Sequence, residues 1–172
     1  MPKRGFLARH GIVRNAIRED ILQFAIPAII IFFIELIFCA YSLVKQLQNL
    51  SMFQVQQIIG LALFIIGLTI MIVGQVTLRR NYSGSVVIRV DHQLITHGIY
   101  RFTRNPMYLG LIMVVLGLPM FCSSLYGFVT MAVLIPIILN RIRLEEKLLT
   151  EEFQDAYQSY KETTKKLIPF IY

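Results

Sequence analysis

The chain has little cysteine and little histidine, and neither is placed where it could build a reactive or metal-binding cluster. Cys39 and Cys122 both lie inside apolar runs, where a thiol behaves as a small hydrophobe rather than as half of a disulfide or metal pair. His10, His92 and His97 stand far apart, without cysteines or acids at ligand spacing, so no metal site is expected. A glycine-rich phosphate loop and a serine, histidine and aspartate set are also missing. Acid is scarce as well: 10 Asp and Glu against 17 Lys and Arg leave a net charge of +7. Such an excess can signal nucleic acid. Here it flanks long apolar runs in a chain that is 56% hydrophobic with a mean hydropathy of +0.63, and membrane orientation and anionic lipid explain it better, so no nucleic-acid partner is expected.

What is present is apolar sequence in lengths that fit a bilayer. The 172 residues predict a single all-α domain: an interfacial arm over 1–20, transmembrane helices and a cytoplasmic loop over 21–139, and a cytoplasmic C-terminal helix over 140–172. The first span reads from about Ile21 to Val44, interrupted by Pro27 and Glu35. It is ample for ~30 Å of hydrocarbon and too long for a signal-peptide core, so it is expected to stay as an anchor. The second runs from about Ile58 to Leu78, with Gly60, Gly67 and Gly74 on one face for close helix packing. From Met107 to Leu139 comes an apolar stretch too long for one span and short for two, broken by Pro119 and by Ser123-Ser124. It predicts a tight helical hairpin, and with it a four-span protein whose last two arms are only marginally long for the bilayer. Gly110 and Gly117 repeat the packing spacing on the first arm, and Pro136 predicts a kink in the second.

All of the Lys and Arg residues except Lys45 fall in the N-terminal arm, the middle loop or the C-terminal region. Under the positive-inside rule this places both termini and the middle loop in the cytoplasm. Phe6, Leu7, Ile12, Val13 and Ile17 among basic residues suit an arm lying on anionic lipid. Leu144, Leu148, Leu149, Phe153, Tyr157 and Tyr160 predict an amphipathic helix from Arg141 to about Lys166, which could bend at the interface and close over the middle loop. Glu35 costs roughly 2.5 to 3.5 kcal/mol to insert charged at mid-span. A packing or oligomer contact explains it somewhat better than a substrate cavity does, and the oligomeric state stays open.

Charge is concentrated at both ends of the hairpin. His97-Gly98-Ile99-Tyr100-Arg101-Phe102-Thr103-Arg104-Asn105-Pro106-Met107-Tyr108 leads into it, and Glu145-Glu146 follows it. Arg and Glu beside hydrocarbon are costly unless paired, wet or functional. Arg101 and Arg104 could be positive-inside anchors with Glu145 and Glu146 as surface partners, because snorkelling arginines flank most spans. A cofactor site is the sharper reading. Pro106 suits the first turn of the third span, where its missing N–H costs nothing.

The order His-Gly-x-Tyr, Arg-Asn-Pro-x-Tyr, a short hairpin and then Glu-Glu, with Asn81-Tyr82-Ser83 and Leu94 ahead of it, resembles the membrane methyltransferase family that includes isoprenylcysteine carboxyl methyltransferases and phospholipid N-methyltransferases. The resemblance covers about Leu78 to Tyr172. It implies S-adenosyl-L-methionine bound at the cytoplasmic membrane surface, held by Gln93, Leu94, His97, Gly98, Ile99, Tyr100, Asn105, Pro106, Tyr108, Glu145 and Glu146. The cofactor's chemistry agrees: Glu145 and Glu146 suit its ammonium or ribose hydroxyls, Arg104 a carboxylate, Gly98 a close backbone approach, and Tyr100 and Tyr108 apolar walls. His97 is assigned to cofactor binding through its backbone, not to catalysis. Asn105 stands where the commoner family form has His, and an amide cannot titrate near neutral pH.

The expected reaction is methyl transfer to a lipophilic acceptor that arrives from the bilayer, with Arg104 aligning the reacting groups and Glu145 holding Arg104 in orientation. A carboxylate acceptor needs no general base, and the lack of an obvious titrating base favours a lipid-like carboxylate or thiol, whether an isoprenylcysteine-like carboxylate or another lipid-like group. A phospholipid amine, which does need a base, is the alternative substrate. A non-catalytic membrane scaffold or lipid-binding protein of the same fold is the alternative of another class.

Overall fold

A computed structural model describes residues 21–48, 54–78 and 94–169. The N-terminal arm, His10, His92, the Asn81-Tyr82-Ser83 stretch and Gln93 lie outside the described residues. The architecture is all-α. A π-helical stretch, Ile21–Ala25, runs into α1 (Ile26–Gln48); α2 (Val55–Leu78), a 3-10 turn (Gly98–Arg101), α3 (Pro106–Phe121) and α4 (Leu125–Thr163) follow. Among the described residues the one β-type pairing is an isolated parallel bridge between Thr103 and Lys165.

Among the described residues, three helices are long and apolar enough to cross a membrane: Leu22–Gln48, Val55–Leu78 and Leu125–Thr163. α3 has 16 residues. At 1.5 Å per residue it reaches about 24 Å, short of the ~30 Å of a hydrocarbon core. The outer faces of α1 and α2 expose Ile29, Phe33, Ile37, Ile58, Ile65 and Ile72. Those faces suit lipid, whereas α3, α4 and the tail build the core of Val115, Leu134, Ile138, Ile142 and Leu167, against which Phe24, Ala28 and Ile31 pack.

The glycine spacing is a seam between α2 and α3. A Cβ added at Gly67 would stand 2.6 Å from the Gly110 carbonyl oxygen, and one at Gly117 would stand 2.6 Å from that of Gly60. The two backbones therefore touch, and only glycine permits it. Gly74 closes the seam against Met107.

The hairpin turn lies where Pro119 and Ser123-Ser124 predict it. α3 ends at Phe121, Ser123 takes φ 50°, and the Ser124 hydroxyl caps α4 by accepting from the Gly127 amide at 3.3 Å. Three glutamines bond to this turn. Gln57 donates to the Phe121 carbonyl and to the Gln46 side chain, both at 3.0 Å, Gln46 donates to the Cys122 carbonyl at 3.2 Å, and Gln56 donates to the Ser123 hydroxyl at 3.0 Å. The carbonyls at the end of α3 thus find donors within the protein.

α4 differs from expectation in where it bends. Nothing between Asn140 and Glu146 interrupts its hydrogen-bond ladder, and Pro136 sits inside the helix without non-helical backbone angles. The break falls at Gln154, φ 42° and ψ −115°. Glu145 and Glu146 are therefore carried rigidly on the same helix that forms the second hairpin arm, and the part that folds over the loop lies beyond them.

Candidate functional site

The residues that start α3 meet the middle of α4 and the tail that follows it. Asn105 precedes the helix and Pro106 is its first residue, as the missing proline N–H favours. This fixes Arg104 and Asn105 just outside the helix and Tyr108 in its first turn. The tail after Thr163 runs back beside them: the Arg104 amide donates to the Lys165 carbonyl at 2.9 Å, and the Thr103 hydroxyl donates to that of Leu167 at 2.8 Å. Thr103 and Asn105 are buried as a result.

Glu146 collects the charge. One carboxylate oxygen accepts from Arg104 Nε at 3.0 Å and from Asn105 Nδ2 at 3.2 Å, while the other lies 3.4 Å from Lys166 Nζ. Arg104 Nη1 also donates to the carbonyls of Lys161, at 3.1 Å, and Thr164. Arg104 is thus oriented by Glu146 and the tail, not by Glu145. Asn105 spends its other amide hydrogen on the Lys166 carbonyl at 2.8 Å, so it works as a two-armed donor.

Glu145 belongs to a second set. The Tyr108 hydroxyl donates to Glu145 Oε2 at 2.7 Å and accepts from Arg141 Nε at 2.9 Å. Arg141 is 5% exposed, and its guanidinium lies 4.4 Å from the centre of the Phe24 ring. The apolar part of α4 ends at Leu139, and Glu145 lies beyond it. Desolvation raises the Glu145 carboxyl above its ordinary range, against the opposing effects of the Tyr108 hydrogen bond and the Arg141 charge.

The remaining expected residues lie at the edge of this cluster. Tyr100 is buried and its carbonyl accepts from the Tyr160 hydroxyl at 2.6 Å. His97 and Gly98 are exposed, and Leu94 and Ile99 are half-buried. Gly98 has φ +62°, and a Cβ there would stand 3.1 Å from the Thr77 side chain at the end of α2. Arg101, exposed, stacks over Phe102 at 5.2 Å and behaves as a surface cation. Sequence reasoning counted Arg141 only among the basic residues of the cytoplasmic C-terminal region and missed its place in the cluster. Its spacing of four from Glu145 on one helix face was the available signal. The part played by the carbonyls of Lys161, Thr164, Lys165 and Lys166 had no signal in residue type, because any residue supplies a carbonyl.

Residues 55–156 match the model of the phospholipid methyltransferase family. A protein of Oryza sativa subsp. indica described as a "Probable protein-S-isoprenylcysteine O-methyltransferase" is 34% identical over 116 residues, covering 66% of this chain and 61% of its own length. The protein-S-isoprenylcysteine O-methyltransferase of Saccharomyces cerevisiae is 29% identical over 98% of this chain and 64% of its own length. The chain thus spans about three fifths of the length of these curated relatives. The solved structure of the eukaryotic intramembrane Ras methyltransferase, isoprenylcysteine carboxyl methyltransferase, shares the fold, with a TM-score of 0.71 at 24% identity over 81% of this chain and 52% of that one. With the family model covering more than half its length, and with the Arg-Asn-Pro and Glu-Glu segments brought together in space, the chain belongs to the phospholipid methyltransferase family.

Proposed function

We propose that this protein is a membrane methyltransferase that uses S-adenosyl-L-methionine to methylate a lipophilic carboxylate of the isoprenylcysteine kind at the cytoplasmic membrane face. The observation that carries the reading is the convergence of Arg104, Asn105 and Tyr108 on Glu145 and Glu146. The relatives' names supply the reaction type and the acceptor. The protein is read as one domain with four crossings, α3 and α4 forming the hairpin, and the one-sided placement of Lys and Arg supports a cytoplasmic site and cytoplasmic termini.

The residues present fit the cofactor. Glu145 is a carboxylate for an ammonium or a ribose diol, exposed His97 and Gly98 and half-buried Ile99 offer amides, and Leu94, Tyr100 and Pro106 offer apolar walls; Gln93 completes the set. When bound, S-adenosyl-L-methionine supplies an electrophilic methyl on a sulfonium. The chain's own residues do the rest. Glu146 and the tail carbonyls hold Nε and Nη1 of Arg104, leaving Nη2 as the donor that faces an acceptor carboxylate. Arg141, clamped between Tyr108 and Phe24, adds a second cation on the membrane side of the cluster. Two fixed cations attract and align a carboxylate, which is already a nucleophile and needs no base. An amine acceptor would meet repulsion from both and would have to lose a proton first.

Calorimetric titration of the detergent-solubilised protein with S-adenosylhomocysteine tests the cofactor, with Arg104→Ala and Glu145→Ala alongside. Binding by the wild type, weakened in both variants, is expected; no binding by folded wild type overturns the reading. The acceptor is tested separately with labelled methyl donor, supplying a farnesylcysteine carboxylate or a phosphatidylethanolamine. Transfer to the amine alone would replace the carboxylate acceptor with a phospholipid.

A further inference from the structure

Away from this site the structure joins three reactive side chains that the sequence scatters. Glu35 and Cys39 stand one turn apart on the buried face of α1, and Cys122 caps the end of α3. The fold brings the two thiols together although 83 residues separate them: Phe38, next to Cys39, stacks on Tyr126 at 5.2 Å, Gln46 on the same helix donates to the Cys122 carbonyl at 3.2 Å, and Glu35 is close enough to act electrostatically on both thiols. Cys39 and Cys122 are 3% and 1% exposed and unlinked. Glu35 is 0% exposed, and neither of its carboxylate oxygens has a hydrogen-bond partner. A carboxyl held there without a donor is costly for packing alone, because burial without a compensating bond costs free energy. A group that takes up and returns a proton accounts for it better.

The geometry points to a redox modification site: Cys39 and Cys122 become a disulfide when a small peroxide oxidises them, with Glu35 carrying the proton. Glu35 accepts the proton of one thiol, and the thiolate attacks a peroxide oxygen. The O–O bond breaks, an S–O bond forms, and the leaving oxygen takes the proton back from Glu35, giving one water and a sulfenic acid. The second thiol then attacks the sulfenic sulfur; the S–S bond forms and a second water leaves. The two thiols give up two electrons and the peroxide gains them. Burial selects the oxidant. A protein disulfide or glutathione cannot reach sulfurs this enclosed, whereas hydrogen peroxide is small and uncharged. The bond ties the middle of α1 to the hairpin turn, fifteen residues along the chain from Phe24 and its contact with Arg141.

The whole protein in lipid nanodiscs is treated with hydrogen peroxide, quenched in acid, unfolded, alkylated and digested without reductant for mass spectrometry. A linked pair of peptides carrying Cys39 and Cys122, lighter by two hydrogens and separated by reductant, is expected. Cys39→Ser should leave Cys122 as a sulfenic acid that a dione reagent traps. Glu35→Gln, its fold checked by thermal unfolding, should slow linkage at least about tenfold. Complete alkylation of both cysteines after peroxide, or oxidation past sulfenic acid without linkage, overturns the site. An unchanged rate in Glu35→Gln removes the proton carrier. No outcome depends on methyl transfer, so failure here leaves the proposed function untouched.

Discussion

The two ends of the hairpin solve the same problem with different chemistry. At the start of α3, Arg104, Asn105 and Lys166 meet Glu146, and the tail adds carbonyls; at its end, Gln46 and Gln57 meet the carbonyls of Phe121 and Cys122. One end is built from ions and the other from neutral amides. Ion pairs survive desolvation best when the donors beside them are also satisfied, which the tail carbonyls achieve for Nη1 of Arg104. Amides carry no net charge, so they can satisfy a helix end in apolar surroundings at lower cost. Charge is thus placed where a polar segment folds over it, and the proposed cofactor site lies at that end.

The comparison breaks most severely at Glu146. Replacing it by Ala leaves Arg104 and Lys166 without their carboxylate, and the loss of one partner of such a mostly buried pair is expected to cost about 3 kcal/mol in thermal or denaturant unfolding. S-adenosylhomocysteine binding should fall with it. A loss no larger than that for an exposed acid such as Glu151 would show that the cluster is screened as a surface pair. Next comes the seam that holds both ends in register. Gly67→Ala drives a methyl into the Gly110 carbonyl, and overpacking of this kind is expected to cost about 2 kcal/mol. Unchanged stability would mean that α2 and α3 can separate freely.

Gln57→Leu tests the neutral end. It strips donors from the Phe121 carbonyl and Gln46, an expected cost of about 1.5 kcal/mol, and should leave S-adenosylhomocysteine affinity within twofold or so of wild type. Lost affinity would show that the two ends are coupled. The smallest effect on stability is expected from Tyr108→Phe, about 1 kcal/mol, because the ring stays and only the hydroxyl between Arg141 and Glu145 goes. Its effect on the proposed methyl transfer is expected to be larger, roughly tenfold in kcat/KM, since the second cation loses its anchor. Equal effects on stability and rate would reduce Tyr108 to a packing residue.

Much of the fold was legible because it repeats. Gly60 and Gly67 against Gly117 and Gly110 is a spacing that one can read along a line, and Pro119 with Ser123-Ser124 announces a turn by residue type. The bend in α4 was not legible. Its position at Gln154, and not near Asn140, depends on where the tail must turn to reach Thr103, a contact between residues more than sixty apart. The site divides in the same way. Arg104 and the Glu pair stood out as ions beside hydrocarbon, but which Glu serves which Arg depends on a rotation of one residue about the helix axis. In the sequence Arg141 counts only as one of the basic residues after the last span; Tyr108 and Phe24 reach it only in space.

By itself, the sequence determined that this chain lives in a membrane, which helices pack closely, and which segments carry charge to the ends of the hairpin. Those properties follow from hydropathy, glycine spacing and the cost of ions in hydrocarbon, all local to a segment. Tertiary structure alone decided the pairing of Arg104 with Glu146 and of Tyr108 with Glu145 and Arg141, the strand-like return of the tail along Thr103, and the meeting of Cys39 with Cys122. Each of these joins groups distant in the chain through contacts a few ångströms long, and such contacts are set by how whole helices pack, not by any residue's neighbours in sequence.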